Sequence, residues 1–501
     1  MCARSPIVRR VAALSARGER GDVDSTTERP GPQKGVYRRR IRTMHRQASA
    51  TATETPYPPI RYAWYVIGVL FVATLLSQLD RQLPALLVRP IRAEFGISDT
   101  AFSFLQGYAF ALFYTFAGLP FGWLIDRTIR RNLIIVGMVL WSVMTVLSGF
   151  AQSYDALVLT RMGVGIGEAV LAPAAYSIIA DYVSPERRGR AFSVYYLSLA
   201  IGSGASLILG ALIARIIPDA GLNLPGVGLM SPWRLTFLVA GAPGLALALL
   251  LLTIREPVRR DAVSVLLSKT SAGWGGFFSY LKRHAAAFSR VLTYPGVVAV
   301  IGYGTLAWAP TLFDRRFGIP TKTSGLIIGV LVAAGGLVGT LISGWLSDRW
   351  AAKRVPAARL RVAMLAWLLV LPTVSLWSLV GAPWLSFALL TVVVTGFAMA
   401  QAAAPTAVQA ITPNRMRGKA VAIYLLIGGL VGIGFGPMSV ALVTDHVFKD
   451  DAGLPYALAV VGGPIALLGL WLTWSGLKPY QRTLEALEAL EAAAEADTAR
   501  S

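Results

Sequence analysis

Cysteine is almost absent from this chain. The only one among 501 residues is Cys2, so no disulfide, iron–sulfur cluster or thiolate metal site can be assembled within it. Histidine is nearly as scarce. His45, His284 and His446 all fall in stretches that read as tails or loops, which argues against an imidazole-based catalytic or metal centre. There is no Walker phosphate loop, and no nucleophile–base pair or metal-ligand cluster, so an enzyme reading and a cofactor find no support. Negative charge is also short: 26 Asp and Glu stand against 47 Lys and Arg, for a net charge of +21.

In a soluble protein that excess would suggest nucleic acid. Here the distribution of apolar residues gives another origin. The chain is 55% hydrophobic with a mean hydropathy of +0.59, and the apolar residues come in blocks of roughly 20, the length that crosses a hydrocarbon core. Multispanning proteins gather Lys and Arg in the loops on one side of the membrane, and that alone makes the total basic. No nucleic-acid partner is expected.

Twelve spans are predicted, at 64–88, 101–125, 133–150, 157–180, 191–214, 235–254, 291–313, 324–346, 362–380, 384–409, 420–444 and 455–475. Residues 1–60 hold twelve Lys or Arg and no spanning block; they read as a disordered basic tail touching lipid headgroups at most, and Met44 is an alternative start. The remainder divides into a six-helix half (61–254), a basic linker (255–290), a second six-helix half (291–475) and a tail (476–501), where Leu484, Leu487 and Leu490 suggest a short surface helix. With the N-terminus inside, inward loops carry 21 Lys or Arg and outward loops 8. That asymmetry predicts an inner, plasma-membrane protein with both termini cytoplasmic.

Two inward loops are copies of each other. One reads Gly122-Trp-Leu-Ile-Asp126-Arg127-Thr-Ile-Arg130-Arg131, the other Gly344-Trp-Leu-Ser-Asp348-Arg349, with the two aspartates 222 residues apart. A second duplicated pair, Arg188-Gly-Arg-Ala and Arg417-Gly-Lys-Ala, recurs at 229 residues. Two echoes at nearly one offset indicate an internal repeat. Gly122 and Gly344 would permit close helix approach. Asp126 and Asp348, at helix ends, are expected within reach of arginines such as Arg188 and Arg417, forming a latch that closes the cytoplasmic side.

With these loops the chain resembles the major facilitator superfamily over residues 61–475, although Ile129 and Ala351 replace the second glycine of that family's loop signature. The resemblance implies an all-α membrane protein of twelve transmembrane helices in two pseudo-symmetric six-helix halves, a secondary transporter working by alternating access. A narrower likeness, to the spinster-like branch, rests on Asp80-Arg81, Arg161-x-x-x-Gly-x-Gly-Glu168-Ala, Pro173, Asp181, Trp233-Arg234 and Arg255-Glu256-Pro257. Animal members of that branch move lysophospholipids and sphingosine phosphate.

Four charges fall deep in spans: Asp80, Arg81, Arg161 and Glu168. Each is costly in hydrocarbon, and such residues mark functional sites by default. Arg161 and Glu168 are two helical turns apart on one face. Asp80 is expected to pair with Arg161, and Glu168 to face Arg81 or a cavity, tuning a proton-coupling site; the spinster-like resemblance implies the same residues. The second half supplies Tyr303, Trp308, Gln401, Gln409 and Tyr424 as a neutral and aromatic cavity wall. A charged wall opposite an apolar one suits an amphipathic, lysolipid-like substrate driven by a proton gradient, carried by a monomer. An organic-anion symporter of the same fold, with Arg161 holding a carboxylate, is the alternative; a non-transporting sensor is a third.

Overall fold

The computed structural model describes residues 57–259, 274–413 and 416–500. Most of the predicted basic tail and the middle of the linker lie outside the described residues. Among those described, eleven helices are long and apolar enough to cross a bilayer, and the bent pair Glu186–Leu199 and Ile201–Ile216, meeting at 41°, makes a twelfth. We number these spans 1 to 12. In the first half they are Ile60–Leu86, Asp99–Ile125, Arg130–Ser148, Tyr154–Tyr182, the bent pair and Pro232–Leu251. In the second they are Ala285–Phe317, Thr321–Ala352, Ala358–Leu379, Pro383–Ala410, Arg417–Phe448 and Asp451–Leu490. Every predicted span has its helix. The helices run past most of the predicted limits because their polar ends remain helical outside the apolar block.

Local signals set several boundaries. Ser98 and Ser153 cap spans 2 and 4 by accepting the amides of Ala101 and Ala156, the usual N-cap role of serine. Prolines at the first turn open spans 6 and 10, where a missing N–H costs nothing. Gly318 ends span 7 at φ 66°, a left-handed conformation that glycine adopts without strain.

We call the end at which span 1 begins basal and the opposite end distal. At the distal end a short helix, Val88–Phe95, follows span 1, and a hairpin of β1 (Leu222–Leu224) and β2 (Gly228–Met230) joins spans 5 and 6.

Two sequence expectations change here. The 255–290 linker is not all connection: it contains a surface helix, Trp274–Arg283, and span 7 already begins at Ala285. The last segment is not a separate short surface helix either. A single helix runs from Leu454 to Arg500, and Tyr480, Thr483 and Leu487 are buried on it. Its leucine periodicity is the continuation of span 12 against the protein, where Gln481 also accepts the Ala357 amide at 2.6 Å.

Candidate functional site

The four intramembrane charges converge. Asp80 and Arg81 sit near the distal end of span 1, Arg161 and Glu168 on span 4, and Asp80, Arg161 and Glu168 are each no more than 3% exposed. Arg81 Nε donates to Glu168 Oε2 at 2.7 Å, and the Ser77 hydroxyl donates to the same oxygen at 2.7 Å. The Arg81 guanidinium lies 4.9 Å from the Phe110 ring centre and 4.7 Å from that of Tyr114, within cation–π range.

The expected Asp80–Arg161 carboxylate pair takes another form. Arg161 Nη2 donates to the backbone carbonyl of Asp80 at 3.1 Å. Asp80 Oδ1, Glu168 Oε1 and both Nε and Nη1 of Arg161 are buried without a hydrogen-bond partner among the described residues. Each such buried polar group costs free energy until it finds a partner. This cluster is charge-balanced but under-bonded.

Arg81 opens onto a pocket between the two halves. Gln82, Gln106 and Phe110 line it from the first half, and Tyr303, Ala307, Ile433 and Pro437 from the second. Of the five residues expected on the second-half wall, Tyr303 alone reaches this pocket. Trp308 does not: it is 1% exposed and its indole donates to the Pro437 carbonyl at 3.0 Å. The helix period explains the difference. Ala307 shares the face of Tyr303, whereas Trp308 is turned about 140° away from it. Tyr424 is buried, Gln401 is half-buried with its Oε1 unpartnered, and Gln409 is exposed at the basal end of span 10. Sequence reasoning missed Gln82 and Gln106, though an uncharged amide in an apolar span, four residues before Phe110, was a usable signal.

Span 11 is π-helical over Gly428–Phe435 and span 2 over Phe104–Tyr108. The two irregular segments meet: a Cβ on Gly107 would lie 2.7 Å from the Ile433 carbonyl. Distal to them, ion pairs join the halves. Arg315 holds Asp99 through two contacts of 2.7 Å, and Arg92 bridges Asp99 at 3.0 Å and Asp451 at 2.8 Å. Arg89 approaches Asp314 at 3.6 Å, the Thr100 amide donates to Asp445 at 2.6 Å, and Lys322 pairs with Asp219.

The expected latch belongs to a closed basal end, and in this structure its residues stand apart. Gly122 and Gly344 have open space where a Cβ would stand, so neither holds helices together here. Asp126 and Asp348 are exposed, and Arg188 and Arg417 bind elsewhere. Arg188 Nε donates to the Val183 carbonyl at 3.1 Å and Arg417 Nε to those of Gln409 and Thr412 at 3.1 and 3.2 Å. Each arginine thus pins a carbonyl five residues upstream, at equivalent positions of the repeat. Arg127 and Arg349 lie over Trp123 and Trp345, four residues before them, at 4.1 and 5.4 Å. That Trp–Arg pair stands in both copies of the repeat. The buried basal pairing belongs to Arg130, which contacts Asp181 at 2.5 Å and Glu256 at 2.7 Å.

A helical bundle with an inter-half pocket and charged residues buried within its spans is the architecture of a secondary transporter. Residues 70–437 match the Major Facilitator Superfamily, and the chain belongs to that family; its members are transporters, not enzymes. It is 29% identical to an MFS-type efflux pump of Mycolicibacterium smegmatis over 85% of this chain and 95% of that protein. It is 25% identical to protein spinster homolog 1 of Xenopus tropicalis over 80% and 78%. Among solved structures, a bacterial homologue of the human lysosomal transporter Spinster superposes in two inward-facing forms. The unoccupied form gives a TM-score of 0.69 at 24% identity, covering 86% of this chain and 99% of that one. The occupied form gives 0.63 at 26%, covering 85% and 94%. Within the superfamily its likeness is to the spinster-like branch.

Proposed function

We propose that this transporter is proton-coupled and moves an amphipathic, lysolipid-like molecule across a plasma membrane, with the basal end cytoplasmic. The observation that carries the reading is the Arg81–Glu168 pair at the edge of the inter-half pocket. Arg81 belongs to span 1 and Glu168 to span 4 of the same half, so the coupling needs a movement of one helix against the other within that half, beyond rigid rocking of the two halves. In this proposal the exchange of partners that such a movement brings is the coupling step, with Glu168 as the residue that carries the proton. Asp80 and Arg161 complete the cluster and tune it. The pocket supports an amphipathic cargo because one wall offers Arg81 and two amides while the other is largely apolar, with Tyr303 supplying a hydroxyl. The 18% exposure of the Arg81 side chain also suits a small organic anion, the second reading.

The test is uptake into proteoliposomes under an imposed pH gradient, screened with lysolipids and with organic carboxylates. Glu168→Gln keeps the shape and removes the titrating group. It is expected to lose gradient-driven accumulation while retaining binding or counterflow, and undiminished accumulation would eliminate Glu168 as the coupling site. Single cysteines at Ser279 (basal) and Asn223 (distal), both exposed, should label from opposite sides, with the basal one reached from the cytoplasm.

A further inference from the structure

The surface helix Trp274–Arg283 has three faces where a helix packed on a soluble protein has two. One face is fixed to the protein: Phe277 is fully buried, Tyr280 and Leu281 pack beside it, and the Tyr280 hydroxyl donates to the Ile411 carbonyl at the end of span 10 at 2.9 Å. A second face is polar, with Ser279, Lys282 and Arg283 exposed. The third is aromatic and left uncovered by the described residues. Trp274 and Phe278, one turn apart, are 53% and 54% exposed, and their rings stack at 5.8 Å. At about 100° per residue the aromatic face lies a quarter turn from the buried one, with the polar face opposite.

Chain continuity sets the depth of this helix. Arg283 is two residues before Ala285, where span 7 begins, so the helix lies at the basal membrane boundary. Exposed tryptophans mark the same boundary on other spans: Trp123 at 58% near the end of span 2 and Trp345 at 61% near that of span 8. Aromatic side chains concentrate at such interfaces.

We propose that the Trp274–Arg283 helix is an interfacial membrane anchor, with Trp274 and Phe278 seated in the lipid headgroup layer and Lys282 and Arg283 at phosphate level. An amphipathic helix with aromatic residues on one face and basic residues on another is built for that position. The anchor also reaches the transport machinery. Lys419 Nζ, at the start of span 11, lies 5.6 Å from the Trp274 ring centre, and Tyr280 holds the end of span 10. The helix therefore fixes the connection between spans 10 and 11 at a set height against the bilayer.

The experiment places a nitroxide at Phe278→Cys, and separately at Ser279→Cys, with Cys2 replaced by serine, in the full-length protein in phosphatidylcholine–phosphatidylglycerol vesicles. Power saturation with oxygen and with a water-soluble nickel chelate reads depth. The label at 278 is expected to be oxygen-accessible and nickel-protected, about 5–10 Å below the headgroup surface, and the label at 279 nickel-accessible. Equal nickel access at both positions would overturn the anchor, leaving the aromatic face in water. Protection of 278 from both reagents would also overturn it, by showing that protein covers that face.

Discussion

The two ends of this bundle use similar residues in opposite ways. At the distal end arginine–aspartate pairs run between the halves: Asp99 of span 2, fully buried, is held by Arg315 of span 7, and Arg92 reaches Asp451. At the basal end the arginines serve their own half. Arg188 and Arg417 tie their own loops, Arg130 joins spans 3 and 4 to Glu256, and Arg259 donates to the carbonyls of Ile125, Asp126 and Thr128 at the end of span 2. Glycines follow the same division. Gly204 and Gly329 meet across the halves, with a Cβ on Gly204 only 2.5 Å from the Gly329 carbonyl, while Gly122, Gly189, Gly344 and Gly418 face open space. Among the described residues the ion pairs between the halves lie at the distal end, and the basal arginines find their partners within their own half.

The largest expected effect comes from cutting a distal tie. Arg315→Ala removes two charged hydrogen bonds to a buried carboxylate, although Arg92 remains beside it at 3.0 Å. A loss of about 2 kcal/mol, or ~30-fold in the ratio of distally open to closed molecules, is the expectation. The readout is maleimide labelling from the distal side of Ala307→Cys, a pocket residue, in a Cys2→Ser background. Arg315→Lys should fall between, because lysine cannot hold both carboxylate oxygens in a planar fork. An unchanged labelling rate in Arg315→Ala would show that the distal pairs do not hold the gate.

The fold was legible because its signals are long. Twelve apolar blocks and a repeat at two offsets survive any error in a single boundary. The Arg81–Glu168 pairing was legible for a different reason: few charges lie deep in the spans, so the possible partners were few. The basal latch was not, because loop arginines have many carbonyls and carboxylates within reach, and a sequence does not state which conformation is populated. Trp308 was misplaced by residue type, since an aromatic in a span is as fit for packing as for lining a cavity, and only its angle from Tyr303 decides. The distal ties were invisible because Asp99 and Arg315 are 216 residues apart and occupy unrelated places in the repeat.

A smaller effect separates the two sets of glycines. In Gly329→Ala the new Cβ would meet the Gly204 carbonyl at 2.8 Å and the Ile208 amide at 2.9 Å. Neither backbone atom can swing aside, so a cost of about 1 kcal/mol, the low end for one inserted methyl group, is expected, seen as a lower melting temperature in detergent and easier distal opening. Gly344→Ala meets nothing within 4 Å and should melt like the unaltered protein. Its defect, if the basal glycines dock when that end closes, should be confined to turnover. Equal melting temperatures for the two variants would break the division between packed distal and free basal glycines.

The smallest effect tests whether the distal end responds to pH. Glu94, on the helix Val88–Phe95, accepts from Arg234 at 2.6 Å and from the Trp233 indole at 2.6 Å, tying that helix to the start of span 6. Burial works against its ionised form, but the hydrogen bonds from Arg234 and Trp233 outweigh it and hold the carboxyl below its ordinary value of 4.5. A carboxylate lowered in the folded state adds stability that is fully present above the ordinary value and is lost as pH falls through the lowered one. The tie should therefore be constant from pH 8 to 5 and weaken only below 4.5. With the Glu94 side chain 35% exposed, its contribution is expected to stay under about 1 kcal/mol. Melting temperatures of the unaltered protein and Glu94→Gln, compared across that range, supply the check. A difference between them that shrinks between pH 8 and 6 would mean that another titrating group loosens the distal end. A constant difference would leave any pH response of transport in that range to groups other than Glu94, with the intramembrane cluster the first place to look.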